Sequence, residues 1–587
     1  MQNYLLTSSL ENSWQLTGKN YVLNHDALFH YKINEKDKDK EFIFFEPYGI
    51  DGKIKEENEK IIYKITNDIQ KDLSLKLNEL HDENYENRYW KVITGNWLIR
   101  AAKIIFYKYK CIDRAINSNL DLFTTASNLG DYNFYTRDSI SIHEACMNSE
   151  WNYNLVSGIL RKYFAEKLDL KNHKTKNNFL SNVDAIEKGR KKNSLNKFFS
   201  LTYNTIQNLA YPLYKKNNYY IKDSYLSKFT ELKLNILLKQ FPILFKDHIE
   251  IPEKYDDKIR NRINLDKNNI DEIEKVIRFF IPKLLPSTYL ENYLFIKEKS
   301  KNLKWPNNPK AIITANSYDF DELFKFWSAD KLTKGSKYYI FQHGTLHGSH
   351  IRIEHTNEYQ VCDKFFNWGN KFKNSKNVEA VNFKLFNIKK KKSKKIKILI
   401  ICKGRGSEHD TYDRSYEHKK IFEGIKNLVN LLPQEILKNL QFRIQDVFRK
   451  NDERDFLNSK NLKILDSNSN IFKMMQNSEL VIHMYHGTGI LECLSLNIPT
   501  MFFSPDLNNC RNYYDDDFIS FCKNKEILYE STELLAESVI QKYNNFKIWW
   551  NDNELQSKKR IVCEQYSILP NKKSLEELSK NIINLKY

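Results

Sequence analysis

The chain has 587 residues, too many for one hydrophobic core, so roughly two to four domains are expected. Hydrophobic residues make up 41%, while Gly (16) and Pro (12) are sparse, which excludes a low-complexity or disordered chain. Lys and Arg (93) outnumber Asp and Glu (74), and the net charge of +19 admits phosphorylated substrates, an anionic membrane surface or nucleic acid without choosing among them.

Eight cysteines, at 111, 146, 362, 402, 493, 510, 522 and 563, form no CxxC pair and several lie in apolar runs, as small core residues do. A reducing compartment is expected. The opening MQNYLLTSSLENSW has no basic n-region and no long apolar segment, so no signal peptide is expected. No apolar run reaches the ~20 residues of a membrane span. The expectation is a cytoplasmic protein, with peripheral contact at an inner membrane face left open.

In chain order, Tyr4-Leu5-Leu6 reads as a strand entering the polar turn Thr7–Glu11, with Ser as a helix N-cap and Glu11 in the first turn. A second strand is sought within 21–31, and residues 33–85 are charged with a strand candidate at 43–45. Tyr89–Ile105, YWKVITGNWLIRAAKII, is amphipathic and predicts a core helix. Residues 112–305 read mostly helical with basic loops, and a helical pattern over 270–285 is broken at Pro282. Ala311–Thr314 and Lys337–Phe341 are strands, with a helix over 321–327 between them. The second runs into Gln342-His343-Gly344, and Val361–Trp368 is a further strand candidate. The run KKKKSKK at 389–395 reads as a solvated linker, with contact to anionic lipid as the sharper alternative. Beyond it lie the strand IKILIIC at 396–402, a helix over 422–440, strands at 442–448 and 462–465, and a helix over 471–477. From Ser531 the pattern is helical to the end. Strands alternating with helices imply a parallel α/β sheet with ligands at the carboxyl ends of its strands.

Val481–Phe503, VIHMYHGTGILECLSLNIPTMFF, carries the sharpest signal. It reads as strand, loop His486-Gly487-Thr488-Gly489, helix, then a strand from Thr500. A helix N-terminus behind a small-residue loop suits a phosphate. Glu492, about one turn in, can accept hydrogen bonds from ribose hydroxyls, and Pro499 follows the helix. The ordinary alternative is a βαβ turn with a surface Glu.

Five stretches carry a family resemblance: YLLTSSLENSW at 4–14, YWKVITGNWL at 89–98, FQHGTLHGSHIRIEH to CDKFFNWG over 341–369, GTGILECLSLNIPTMFF at 487–503, and YNNFKIWWNDNELQSKKRIVCEQYS at 543–567. In this order they resemble a family of bacterial surface-carbohydrate transferases within the GT-B glycosyltransferase superfamily. The resemblance implies an α/β, GT-B-like fold of two Rossmann-like domains facing a cleft. It implies an acceptor-side domain over 1–370 with a helical insertion over about 112–305, and a basic linker over 371–395. A donor-binding domain over 396–530 and C-terminal helices over 531–587 complete the division. It also implies transfer of a sugar from a nucleotide donor, CMP-, CDP- or UDP-linked, to a glycan or lipid-linked acceptor, with an acidic CMP-linked sugar among the options. Where the family tends to a Gly-rich turn after QHG, Thr345 and His347 follow here. FRIQD at 442–446 keeps only the Arg of the family's second-half strand, which leaves donor identity open.

His343, between a strand and a Gly, suits an acid/base or a phosphate- or carboxylate-binding role. His347, His350 and His355 crowd the same stretch and raise a metal site, yet no Cys or Asp completes a familiar ligand spacing. Glu11 is read as a catalytic base or as a capping residue. Gly344, Gly487, Thr488 and Gly489 supply donors to the nucleotide; Lys403, Arg405 and Arg443 neutralise its phosphate. Trp549-Trp550 reads as core before sugar platform. No DxD-type metal motif is evident between strands and no cofactor is called for, so metal-independent transfer is expected. Two rivals remain: a CDP-linked polyol-phosphate transferase on the same fold, and a basic RNA-binding protein, which lacks any RNP, KH or dsRBD signature.

Overall fold

The computed structural model describes residues 3–28, 39–128, 134–175, 207–243, 249–344, 353–371, 373–388, 395–403, 410–444, 452–466, 469–505 and 516–585. It contains three parallel sheets. The first joins β1 (Asn3–Leu6), β2 (Lys19–Val22), β3 (Glu41–Phe44), β4 (Leu122–Ala126) and β5 (Asp169–Asn172) in the order β3-β2-β1-β4-β5. The second joins β6 (Tyr219–Lys222), β7 (Ala311–Thr314), β8 (Lys337–Phe341), β9 (Lys364–Asn367) and β10 (Asn377–Glu379) in simple succession. The third joins β11 (Ile396–Cys402), β12 (Leu440–Ile444), β13 (Lys463–Leu465), β14 (Ser478–His483), β15 (Thr500–Phe503) and β16 (Leu528–Tyr529) in the order β13-β12-β11-β14-β15-β16. That order is the Rossmann one, and its direction reverses between β11 and β14. The first sheet reverses in the same way between β1 and β4. Crevices outside the carboxyl ends of strands at such reversals are where α/β sheets take ligands.

The central strands explain themselves. In β11, six of seven positions are buried, because helices cover both faces of a parallel sheet and a continuous apolar run suits that. Helices Gly52–His81 and Asn87–Ile116 pack on each other, and their buried residues share one hydrophobic core with strands of the first two sheets. The first of them is hidden in the charged stretch 33–85. Its stripe Ile62, Ile65, Ile69, Leu73, Leu77 is buried at helical spacing, with Lys and Glu on the outside. Asp51 caps its start by accepting from the Lys53 and Ile54 amides. Gly95, on the second helix, lets the Asn357 side chain approach to where a Cβ would stand.

Several expectations give way. The stretch 112–305 is not simply a helical insertion: it contributes β4, β5 and β6, strands of four or five residues too short for a period to show. The stretch 371–395, expected as a linker, holds β10 and a turn of 3-10 helix, Phe383–Leu385; residues 389–394 lie outside the described residues. The helix Glu272–Leu284 runs through Pro282, which sits in its last turn. The helix expected over 422–440 runs over Arg414–Leu431.

Two further connections fix the third sheet. The segment before helix Arg414–Leu431 docks on the first unit: His25 Nδ1 lies 2.9 Å from Asp413 Oδ2, and Lys103 Nζ lies 3.0 Å from Asp410 and 2.5 Å from Glu59. The C-terminal helices cross back to the second sheet. The Ile568 amide donates to Trp368 O at 2.7 Å, and Gly369 lies so close to Gln565 O that a Cβ would stand 2.2 Å from it. Trp550 is buried and donates to Asn497, so this tryptophan is core. No helix among the described residues is long and apolar enough to cross a membrane.

Candidate functional site

β14 ends at His483, and the helix Thr488–Ser495 begins five residues beyond it, beside the strand-order reversal. Gly487 is the N-cap, with extended backbone and no capping side chain. A helix start of this kind presents backbone donors to an anion. The loop needs Gly489: a Cβ there would stand 2.5 Å from the His483 ring, which is 1% exposed. Burial pushes the His483 imidazole down to about 3, so it is neutral packing beneath the loop. Asn497 closes the helix in the left-handed region at φ 55°.

Glu492 is 5% exposed on this helix. Burial pushes its carboxyl above the ordinary range, and the Lys384 ammonium, 3.8 Å from Oε1, acts in the opposite direction. His486 stacks on Phe502 and Phe518, at 5.4 and 6.0 Å between ring centroids. Lys403 follows β11 directly. Burial raises the nearby Glu417 carboxyl, but Lys403, Arg414, Lys55 and His418 together hold that carboxyl below its usual range. Arg443 is the penultimate residue of β12, half-buried and paired in register with Ile401. Arg405 lies outside the described residues.

The facing side is built on the second sheet. β8 delivers Gln342, whose side chain locks the turn. Its Oε1 accepts from the Trp368 amide at 2.8 Å and its Nε2 donates to Gly344 O at 2.9 Å. Between them His343 meets Tyr318, Nδ1 to Oη at 3.3 Å. Burial pushes the Tyr318 phenol well up, so it keeps its proton, and its oxygen can accept from an Nδ1–H of His343. Asp319, next to it, is gripped by Arg100 at 2.6 Å through both oxygens.

The two sides touch at Gly344 and Thr488. A Cβ on Gly344 would stand 3.3 Å from Thr488 Oγ1. His343 and Gly344 on one unit, and Gly487, Thr488, Gly489 and Glu492 on the other, therefore meet at one seam. Lys384 and Tyr225 stand at the same seam and had no signal in the sequence: one is a single Lys in FKLF, the other a Tyr after β6.

Other candidates lie elsewhere. Glu11 is exposed in the 3-10 turn Glu11–Ser13, past the end of β1 at the first sheet's reversal. The expected Ser cap is not formed: the N-cap is Leu10, with no side-chain bond, and Ser9 Oγ is instead 2.7 Å from Ser149 Oγ. His355 stacks on Tyr63 at 4.3 Å, so its ring packs on helix Gly52–His81. His347 and His350 lie outside the described residues. Among the described residues no three of His, Cys, Asp or Glu gather in a way that could hold a metal ion.

A model of the LIC12162 family transferases matches residues 3–582. No curated protein matches the sequence. Among solved structures, the wall teichoic acid polymerase TagF aligns at 11% identity over 67% of this chain and 98% of its own, with a TM-score of 0.33. MurG of Acinetobacter baumannii aligns at 14% identity over 50% of this chain and 78% of its own, with a TM-score of 0.30. MnaA of S. aureus, solved with UDP, aligns at 10% identity over 50% and 81%, with a TM-score of 0.32. At these scores the fold rests on the sheets themselves.

Proposed function

The chain belongs to the LIC12162 family of transferases, and on that premise we propose that it is a glycosyltransferase of the GT-B type. It moves a sugar from a nucleotide donor to a cell-surface glycan or lipid-linked acceptor. One observation carries this reading: the approach of the His343-Gly344 turn to the Thr488 helix start, which gathers an acid/base group, backbone donors and a buried carboxylate.

In this reading the unit over 396–530 holds the donor and the half over 1–370 presents the acceptor. The Gly487, Thr488 and Gly489 backbone takes the phosphate, and Glu492 takes the ribose hydroxyls. His486 and Gly344 line the seam. As the bond from sugar to phosphate breaks and the bond from sugar to acceptor oxygen forms, His343 accepts the acceptor's proton. With Nδ1–H donating to Tyr318 Oη, Nε2 carries the lone pair that takes the proton. Charge on the departing phosphate is stabilised by the helix start with Lys403, Arg405 and Arg443, without a metal ion. Glu11 stands at the acceptor end. The enzyme works at the cytoplasmic face of a membrane, where a lipid-linked acceptor is presented.

The test is thermal stability against CMP, CDP, UDP, GDP and ADP, each with and without EDTA. A nucleotide that binds only the folded chain raises the midpoint. A selective shift, unchanged by EDTA, is expected. A shift with CMP identifies an acidic-sugar donor, with UDP or GDP a hexose donor, and with CDP the polyol-phosphate rival. No shift with any of the five would contradict the donor site, and a shift abolished by EDTA would contradict metal independence.

A further inference from the structure

The turn after β6 places Asp223 and Tyr225 in the left-handed region, at φ 47° and 62°. For a residue as bulky as Tyr this is a true outlier, since Gly or Asn would adopt the conformation without strain. The surroundings hold it there. The Ala315 amide donates to Asp223 O at 3.0 Å, Ser317 Oγ donates to Asp223 Oδ2 at 2.6 Å, and Ser224 Oγ donates to Glu231 at 2.6 Å. Burial is not the reason for the strain, because Tyr225 is 37% exposed. Strain of this kind, held by its neighbours, collects where a side chain must be presented.

The ring is presented to the seam. It lies 6.2 Å from the His343 ring at 26°, and the Lys384 ammonium stands 4.9 Å from its centroid. Lys384 also lies 5.7 Å from the Trp368 ring. Its 3.8 Å separation from Glu492 is longer than a direct hydrogen bond, so the pair attracts without locking. An ammonium held between two rings and one carboxylate is partly stripped of water and can exchange one anion for another.

We infer that Tyr225 and Lys384 form a binding subsite beside His343 for a ring that carries or adjoins an anionic oxygen. The flat face of Tyr225 takes the ring. Lys384 turns from Glu492 to the anion, and Glu492 is released to accept from hydroxyls. The anion has two sources with one chemistry: the phosphate of the donor nucleotide, or a carboxylate on the transferred sugar. This subsite rests on the donor-site reading above.

The experiment compares the full chain with Tyr225→Gly, Tyr225→Phe and Lys384→Met, by calorimetry and thermal shift, against CMP, CDP, UDP, inorganic phosphate and glucuronate. Tyr225→Gly relieves the backbone, so its Tm is expected to stay level or rise by a few degrees while binding weakens by about tenfold. Lys384→Met is expected to weaken the anion by about tenfold, and Tyr225→Phe to stay within about twofold of the wild type. If Lys384→Met loses the nucleotides and phosphate, the anion is the nucleotide's; if it loses glucuronate, the anion is the sugar's. Either outcome supports the subsite. If the wild type binds a nucleotide and both Tyr225→Gly and Lys384→Met bind it within about twofold, the subsite is overturned and the donor site stands. If the wild type binds none of the probes, the donor reading fails and the subsite with it. A Tm lowered in Tyr225→Gly would overturn the presentation argument, and Lys384→Met would still test the anion.

Discussion

The third sheet meets the first unit and the second sheet through contacts of opposite character. Against the first unit, charge is matched at close range. His25 and Asp413 are 2.9 Å apart with Asp413 fully buried, Lys103 joins Asp410 and Glu59, and Ser415 bonds Asp26. Burial raises the Asp410 carboxyl, yet Lys103 and Arg414 outweigh it and hold it at about 2. Against the second sheet, the charged pair is looser. Lys384 and Glu492 are 3.8 Å from each other, Glu492 is pushed up by burial, and Tyr225 is strained and exposed. The first contact is a joint closed by paired charges. The second holds a looser, partly buried pair, the kind of contact that the proposed donor site would use.

The comparison breaks first at Lys103. Lys103→Met leaves Glu59 buried without its cation and Asp410 with Arg414 alone, and is expected to cost about 3–5 kcal/mol, read from the urea midpoint. A loss under about 1 kcal/mol would show the joint to be ordinary surface pairing. The seam's floor is sharpened by pH. His483 sits at about 3 in the folded chain against an ordinary 6.5. The unfolded chain therefore takes up its proton first, and stability present above pH 6.5 is lost towards pH 3, by about 1.4 kcal/mol per unit. His483→Phe should flatten that slope in denaturation series between pH 7 and about 4; an identical slope would mean that this imidazole charges in place. Glu492→Gln is the gentlest probe. Its carboxyl is raised in the folded state, so ionisation destabilises the fold as pH rises through the shifted value. Near neutral pH the variant should be as stable as the wild type or more so, while nucleotide binding weakens by about tenfold, the scale of a lost charged hydrogen bond. Unchanged binding would remove Glu492 from the donor site.

Much of the third sheet was legible because both-face burial writes continuous apolar runs. IKILIIC and the stretch from Val481 to Phe503 fall where strand, loop and helix are found, with Asn497 and Pro499 marking the helix end. The transferase resemblance is borne out by the family match over residues 3–582. The helix Gly52–His81 escaped because its apolar stripe is diluted by charge, and β4 to β6 because four or five residues show no period. The site was legible only as two separate motifs. Their meeting, and the presence of Tyr225 and Lys384, come from packing between units. Tyr225 was the hardest to read, since its left-handed backbone is one that sequence rules assign to Gly or Asn. Of the four histidines that crowd one stretch of sequence, His355 stacks on Tyr63 of the helix begun at Gly52, a contact that spacing along the chain does not show.

The central claim is that the seam between Gly344 and Thr488 is where the donor binds. Calorimetric titration of the wild type and Gly344→Val, with whichever nucleotide gives the largest thermal shift, tests it directly. A Cβ at 344 already approaches Thr488 Oγ1 to 3.3 Å, so the branched side chain fills the seam. The account predicts affinity lowered by about tenfold or more in the folded variant, with stability reduced by no more than about 1–3 kcal/mol, the cost of overpacking. Equal affinity in the two proteins would place the nucleotide elsewhere and contradict it.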